Sequence, residues 1–183
     1  MAKQGDKITN ARTGQSMIFL MTAKETNGEL LQIECFSPPT LEREPEHIHP
    51  FQVNSFEIIS GSCVFCLDGK EQLVGPGQSI NIPAKTPHNF WNSGDTVAHY
   101  IQEFRPALKI DRFFETFFAL ARDGKLNKRG IPNFFHVSII GLAHKDEIRL
   151  TNPPWALQNI IYKTLSPFGK LMGYRAEYKS TIQ

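Results

Sequence analysis

Short apolar runs separated by turn-forming residues fill the first part of the chain, from residue 16 to about residue 105. Asp68-Gly69, which lies between two of these runs, is a strong signal for a β-hairpin. Many short strands at this spacing are typical of a β-sandwich or a β-barrel. The pattern predicts strands over residues 17–21, 30–36, 56–59, 62–67, 79–82 and 97–104.

The hydrophobic period changes after Pro106, where apolar residues begin to recur at helical spacing. A first helix should end near Gly124, and two more helices are expected over residues 133–143 and from Pro153-Pro154 to residue 171. We therefore predict a barrel over residues 15–106 and an α-helical extension over residues 107–180. The extension should pack on the barrel or on a dimer partner, burying Phe113, Phe114, Phe117 and Phe118.

Composition narrows the class of protein. The 183 residues carry a formal net charge of +2, so the chain has no strong electrostatic attraction to nucleic acid. Residues 1–14 are polar, without an apolar signal core, and are expected to be loosely held. The longest apolar-rich stretch is too short to span a bilayer, and an odd number of cysteines argues against a disulfide framework. Together these features predict a cytoplasmic protein without a membrane span.

His47-Ile48-His49 is the strongest chemical signal in the chain. Residues two apart in a strand point to the same face, so two imidazoles on the inner face of a barrel can bind one metal ion. Such a pair alone is more often two ordinary polar histidines. A second segment changes this interpretation, because a glycine-rich turn at 75–77 leads through Pro83 to His88 and Asn92.

Together the two segments resemble the motifs of the cupin superfamily, over about residues 30–105. The first cupin motif has a His-x-His pair, a Glu and a closing Gly, and the second has a Gly-rich turn, a Pro, a His and an Asn. The resemblance implies a double-stranded β-helix, a form of jelly roll, with a divalent metal held by His47, His49 and His88. It also implies a homodimer. The residues that match the two motifs are His47, His49, Gly61, Gly77, Pro83, His88 and Asn92.

One ligand departs from the pattern, since Asn54 stands where the family has its metal-binding Glu. A neutral amide oxygen is a weaker donor than a carboxylate, so Asn54 is a weak ligand or none. Three imidazoles alone are a known catalytic ligand set, which leaves Fe, Zn, Ni or Mn as the candidate ion. Glu57 should face the opposite side of a regular strand, unless a β-bulge turns it inward.

Three further residues are candidates for the wall of a substrate pocket. Phe56 shares the parity of Asn54, Phe90 shares the parity of His88, and His99 lies in the last strand of the barrel. Core packing explains the two phenylalanines equally well, and a structural role explains His99 better than a substrate contact. An apolar wall beside a metal suits a small, partly hydrophobic organic molecule.

Two functions remain open. The chain could be an enzyme, a dioxygenase if the metal is iron or an isomerase if the metal acts as a Lewis acid, although no catalytic residue is identifiable. It could equally be a non-catalytic module that binds or senses a small ligand, which the missing Glu favours. The pattern does not identify the ligand, because fold alone does not decide function.

Overall fold

The computed structural model describes residues 2–179, and these form two antiparallel sheets followed by helices. The mainly β architecture with a C-terminal helical extension is confirmed. The strands are β1 Lys7–Thr9, β2 Ser16–Met21, β3 Leu31–Ser37, β4 His47–Ile48, β5 Val53–Ser60, β6 Cys63–Leu67, β7 Lys70–Val74, β8 Ser79–Ile82, β9 His88–Trp91, β10 Ala98–Arg105 and β11 Arg149–Leu150. The helices are α1 Ile110–Arg122, α2 Phe134–Ala143 and α3 Trp155–Leu171.

Six strands form one sheet in the order β1-β2-β3-β10-β5-β8, and five form the other in the order β11-β4-β9-β6-β7. The inner side chains of the two sheets meet in a core rich in aromatic rings. Phe56 of the first sheet contacts Phe65 and Phe90 of the second, with ring centroids 4.8 and 4.9 Å apart. Alternation along each strand directs every second side chain into this core, as in β10, where Ala98, Tyr100, Gln102 and Phe104 are buried.

Turn chemistry explains the hairpin that joins β6 and β7. Asp68 and Gly69 both have positive φ, at 48° and 76°. This is the backbone of a two-residue turn whose twist matches that of the flanking strands, so the predicted hairpin is confirmed.

We expected the N-terminal segment to be loosely held, but part of it forms a strand. Lys7–Thr9 pair with β2, and Ile8 packs against the barrel core. The isolated Ile8 in a polar stretch is too short a pattern to predict a strand, and the pairing with β2 supplies the order.

Helix α1 packs against the barrel core. Phe118 and Ile110 of α1 are buried in the core, while Phe113, Phe114 and Phe117 are partly buried against it. Helices α2 and α3 pack closely on each other. A Cβ at Gly169 of α3 would lie 2.9 Å from the backbone oxygen of Phe135, so the close approach requires glycine there. The last residue of the predicted extension, 180, lies outside the described residues. No helix among residues 2–179 is long and apolar enough to cross a membrane.

The extension also adds a strand to the barrel. β11 pairs antiparallel with β4, with Leu150 opposite His47. Thr151 strengthens this junction, because its hydroxyl donates a hydrogen bond to the Glu46 carboxylate at 2.6 Å. The helical segment therefore borders the strand that carries the histidine pair.

Candidate metal centre

His47, His49 and His88 come together inside the barrel. His47 begins β4, His49 follows it directly, and His88 begins β9, which pairs with β4 so that His47 lies opposite His88. One ring nitrogen from each residue lies within 4.8 Å of those of the other two, and all three residues are buried. Strand pairing thus places three nitrogen donors around one point, although 39 positions separate His49 from His88.

Backbone carbonyls fix the protonation of all three rings. The Nδ1 atoms of His47, His49 and His88 lie 3.0, 2.6 and 2.8 Å from the backbone oxygens of Pro45, Glu147 and Thr86. A carbonyl only accepts, so each Nδ1 carries the proton and donates it. Each Nε2 then keeps a free lone pair. The Nε2 of His88 is buried without a hydrogen-bond partner among the described residues, so its lone pair is available to bind a metal ion.

The electrostatics keep these imidazoles neutral. Burial first and the neighbouring His47 second lower the pKa of His88 to about 4, against the partly opposing bond from the Thr86 carbonyl. Burial likewise lowers the pKa of His47, and it holds the pKa of His49 well below the ordinary value with help from the two nearby rings. Neutral imidazole is the form that binds a metal, so protons compete weakly here. Three neutral nitrogen donors fit a divalent first-row transition metal.

Asn54 is connected to this centre through Phe104. It is buried in β5 opposite Phe104, whose ring sits edge-on to His49 at 5.2 Å. Its Oδ1 accepts a hydrogen bond from the Gln102 amide at 3.1 Å. Glu57 of the same strand is exposed on the outer side. The residue in the family's carboxylate position is therefore a neutral amide already engaged by a neighbour.

Restoring a carboxylate at this position should strengthen the metal centre. We expect Asn54→Glu to tighten binding of Zn²⁺ or Mn²⁺, because a charged oxygen is a better donor to a divalent cation than an amide. Competition with a chelator measures the change, and Ser55→Glu, on the opposite face of β5, is the matched control. Unchanged or weaker affinity in Asn54→Glu would mean that position 54 does not face the metal.

The proposed pocket residues separate into two groups. Phe56 and Phe90 face the interior, where they form an aromatic cluster with Phe65 and Tyr100. His99 points to the outer side of the sheet, where its Nε2 lies 2.8 Å from the Glu34 carboxylate and its ring stacks on Phe36 at 4.5 Å. The structure thus places His99 away from the interior, because it alternates with the buried Tyr100.

Sequence analysis did not identify two residues near the histidine cluster, Glu44 and Glu147. Glu44 precedes the histidine pair, and its Oε1 is buried without a hydrogen-bond partner among the described residues. Burial raises the pKa of this carboxyl to about 7, although the nearby His88 and a hydrogen bond from the Phe90 backbone partly oppose the shift. Glu147 supplies the carbonyl that holds His49, while its own Oε1 accepts from the backbone N–H of Lys109 at 3.2 Å.

Comparison with known proteins agrees with this geometry. Residues 36–102 match the family model described as Cupin domain. Quercetin 2,3-dioxygenase of Bacillus subtilis (strain 168) is 25% identical over 121 residues, which are 66% of this chain but 33% of that protein. The chain thus spans about a third of the length of this relative.

A solved structure shows the same fold at low identity. It is described as a predicted oxalate decarboxylase from Thermotoga maritima, with a TM-score of 0.50 and 19% identity. The match covers 58% of this chain and 99% of that chain. At this identity the likeness concerns the fold alone.

Proposed function

Because residues 36–102 form a cupin domain, we propose that this protein binds a divalent transition metal and uses it to act on a small organic molecule. The observation that carries the proposal is the convergence of three buried imidazoles, each with Nδ1 held by a backbone carbonyl, which leaves Nε2 free to bind. The metal ligands in this proposal are the Nε2 atoms of His47, His49 and His88.

A metal held by three imidazoles keeps open positions and supplies redox chemistry if it is iron, or Lewis acidity if it is zinc. The protein contributes an apolar surrounding that excludes water, since Phe104 packs on His49 and the Phe56–Phe90 cluster lies in the same interior. Such a wall suits a small, largely apolar ligand. Glu44 is the candidate for exchanging a proton with that ligand, because its Oε1 is buried and unpartnered within residues 2–179.

Oxygenation is the reaction that we favour for this centre. The similarity to quercetin 2,3-dioxygenase supports it, although this chain spans only a third of that protein. The second candidate is non-catalytic binding of a small ligand. One observation favours it: Asn54, which replaces the family carboxylate, is bonded to Gln102.

Metal content and oxygen uptake distinguish the two candidates. We expect untagged protein to carry Fe, Zn, Ni or Mn, and the iron-loaded protein to consume dioxygen with a small phenol, diketone or thiol. Glu44→Gln should reduce turnover while leaving metal content unchanged. Binding of these compounds without oxygen uptake would favour the non-catalytic module. A protein that takes up no metal on reconstitution would contradict both the enzyme and the metal-dependent binder.

A further inference from the structure

The outer side of α3 is strongly apolar although it faces solvent. Leu157, Ile160, Phe168 and Leu171 are 48–86% exposed. They recur at spacings of three, eight and three residues, which places them on one stripe of the helix together with Thr164. Met172, 59% exposed, extends this stripe beyond the helix end, and we call these five apolar residues the α3 outer face. The opposite side, with the buried Gln158, Tyr162, Ser166 and Gly169, packs toward α2.

A second apolar surface lies near the start of α3, although none of the five residues of the α3 outer face lines it. A groove of about 650 Å³ separates the start of α3 from the segment before α2. Apolar side chains that line it include Leu126, Ile131, Phe134 and Ile161, and Phe134 is 58% exposed. Several exposed apolar residues on one helix stripe, as in the α3 outer face, mark an interaction site, whereas single exposed apolar residues do not.

Charge is distributed unevenly along the sequence of the helical extension. Residues 124–144 and 151–176 contain six basic side chains and no acidic one, while the rest of the chain has 14 basic and 18 acidic side chains. The six are Lys125, Lys128, Arg129, Lys163, Lys170 and Arg175. Helix α3 itself carries Lys163 and Lys170 and no acidic side chain, and a basic helix of this kind complements an anionic surface.

The positions of two lysines sharpen this complementarity. Lys163 and Lys170 are seven residues apart in α3, so they lie on the same flank of the helix, beside the α3 outer face. Lysines that flank an apolar stripe can keep their ammonium groups at a lipid headgroup while the stripe enters the acyl boundary. A second copy of the helix fits less well, because α3 has two lysines and no acidic residue to pair with them across an interface.

We propose that the α3 outer face docks on the surface of an anionic lipid bilayer. The helix lies in the plane of the interface and does not span the bilayer, since 17 residues with two lysines do not form a membrane span. Docking holds the protein at a membrane through its extension and leaves the metal centre inside the barrel. This inference stands apart from the proposed metal chemistry, because none of its residues is a candidate ligand.

Vesicle sedimentation of the full-length protein tests the docking. We expect the protein to sediment with vesicles of phosphatidylcholine and phosphatidylglycerol, and much less with phosphatidylcholine alone. Raising the salt concentration from 0.1 M to 0.5 M should weaken binding, because screening removes the contribution of the lysines. Equal binding to both vesicle types, or no binding to either, would overturn the proposal.

Apolar variants locate the contact. Ile160→Asp with Phe168→Asp should reduce binding about tenfold or more, because charged side chains resist entry into the acyl boundary. Both residues are exposed, so the fold should survive, which circular dichroism checks. The control, Leu41→Asp with Leu73→Asp, changes two exposed leucines outside the helical extension and should bind as the wild type does.

Charge variants distinguish docking on an anionic membrane from docking on a second copy of this chain. Lys163→Glu with Lys170→Glu should lower the affinity for anionic vesicles about tenfold or more, since each lysine near such a surface contributes to binding. The control is Lys24→Glu with Lys70→Glu, at exposed positions elsewhere. If analytical ultracentrifugation shows a wild-type dimer that Ile160→Asp dissociates, and vesicles do not bind, the face belongs to a second copy and the proposal is wrong.

Discussion

Replacing His88 with alanine should abolish stoichiometric metal binding and any turnover while leaving the barrel folded. His88 provides one of three nitrogen donors, and the structure shows no carboxylate within the cluster of described candidate ligands that could replace it. Two imidazoles form a poor site for a divalent ion, so metal content should fall to less than about a tenth of the wild-type value. Elemental analysis after reconstitution measures this, and circular dichroism checks the fold.

His99→Ala is the matched control for that experiment. His99 is a partly buried barrel histidine with a hydrogen bond of its own, but its partner is Glu34 on the outer side of the sheet. We expect this variant to retain full metal content. Loss of metal from His99→Ala together with retention in His88→Ala would show that the second motif has been assigned to the wrong histidine.

Removing the helical extension should leave the barrel unable to stay soluble. Ala107, Ile110 and Phe118 belong to the same buried cluster as the barrel core, and three further phenylalanines of α1 pack against it. Burying each large apolar side chain contributes about 1.5–3 kcal/mol, so a chain that ends at Pro106 would expose a large part of its core. We expect this truncation to aggregate, as measured by its soluble fraction and by gel filtration.

A point variant tests the same packing without removing the extension. Ile110 is fully buried, and Ile110→Ala should lower the free energy of unfolding by about 2–5 kcal/mol. Ile160→Ala makes the same change at a residue that is 63% exposed, and it should cost less than about 0.5 kcal/mol. Urea denaturation measures both. Equal effects at the two positions, with a soluble and cooperatively folded truncation, would mean that the helices are an independent unit.

The sequence pattern predicted the parts of the fold that bury alternate side chains or carry turn chemistry. The runs that became β2, β3, β6, β8 and β10 were predicted within one residue at each end. β7, Lys70–Val74, was indicated only by the hairpin turn before it, because four of its five residues are exposed and the strand has no apolar alternation of its own. β11 is only two residues long, and it forms through pairing with β4 rather than through its own composition.

The histidine cluster was predictable because it depends on which positions of the sequence are histidine. His47 and His49 share a face by strand parity, and the second motif pointed to His88. The support of His49 by Glu147 was not predictable, since the bonding atom is a backbone oxygen that any residue could supply. Glu44 lies in a charged stretch that resembles a solvated loop, and only its burial in the folded protein raises the pKa of its carboxyl.

The alternation of inner and outer side chains along β10 could have predicted the position of His99. Ala98, Tyr100, Gln102 and Phe104 occupy the inner face of β10, so strict alternation places His99 outside. Its pairing with Glu34 on β3 satisfies the ring there without any ligand. The alternation of side chains along a strand therefore predicts which side of the sheet a residue lies on better than the chemistry of its side chain does.

Anomalous diffraction from crystals of the zinc-reconstituted protein tests the metal centre most directly. We predict a single strong peak at the zinc edge about 2.0–2.1 Å from the Nε2 atoms of His47, His49 and His88. The Nδ1 atoms should keep their bonds to the carbonyls of Pro45, Glu147 and Thr86. A fully occupied zinc at another position, with the three imidazoles unliganded, would contradict the assignment of this cluster as a metal centre.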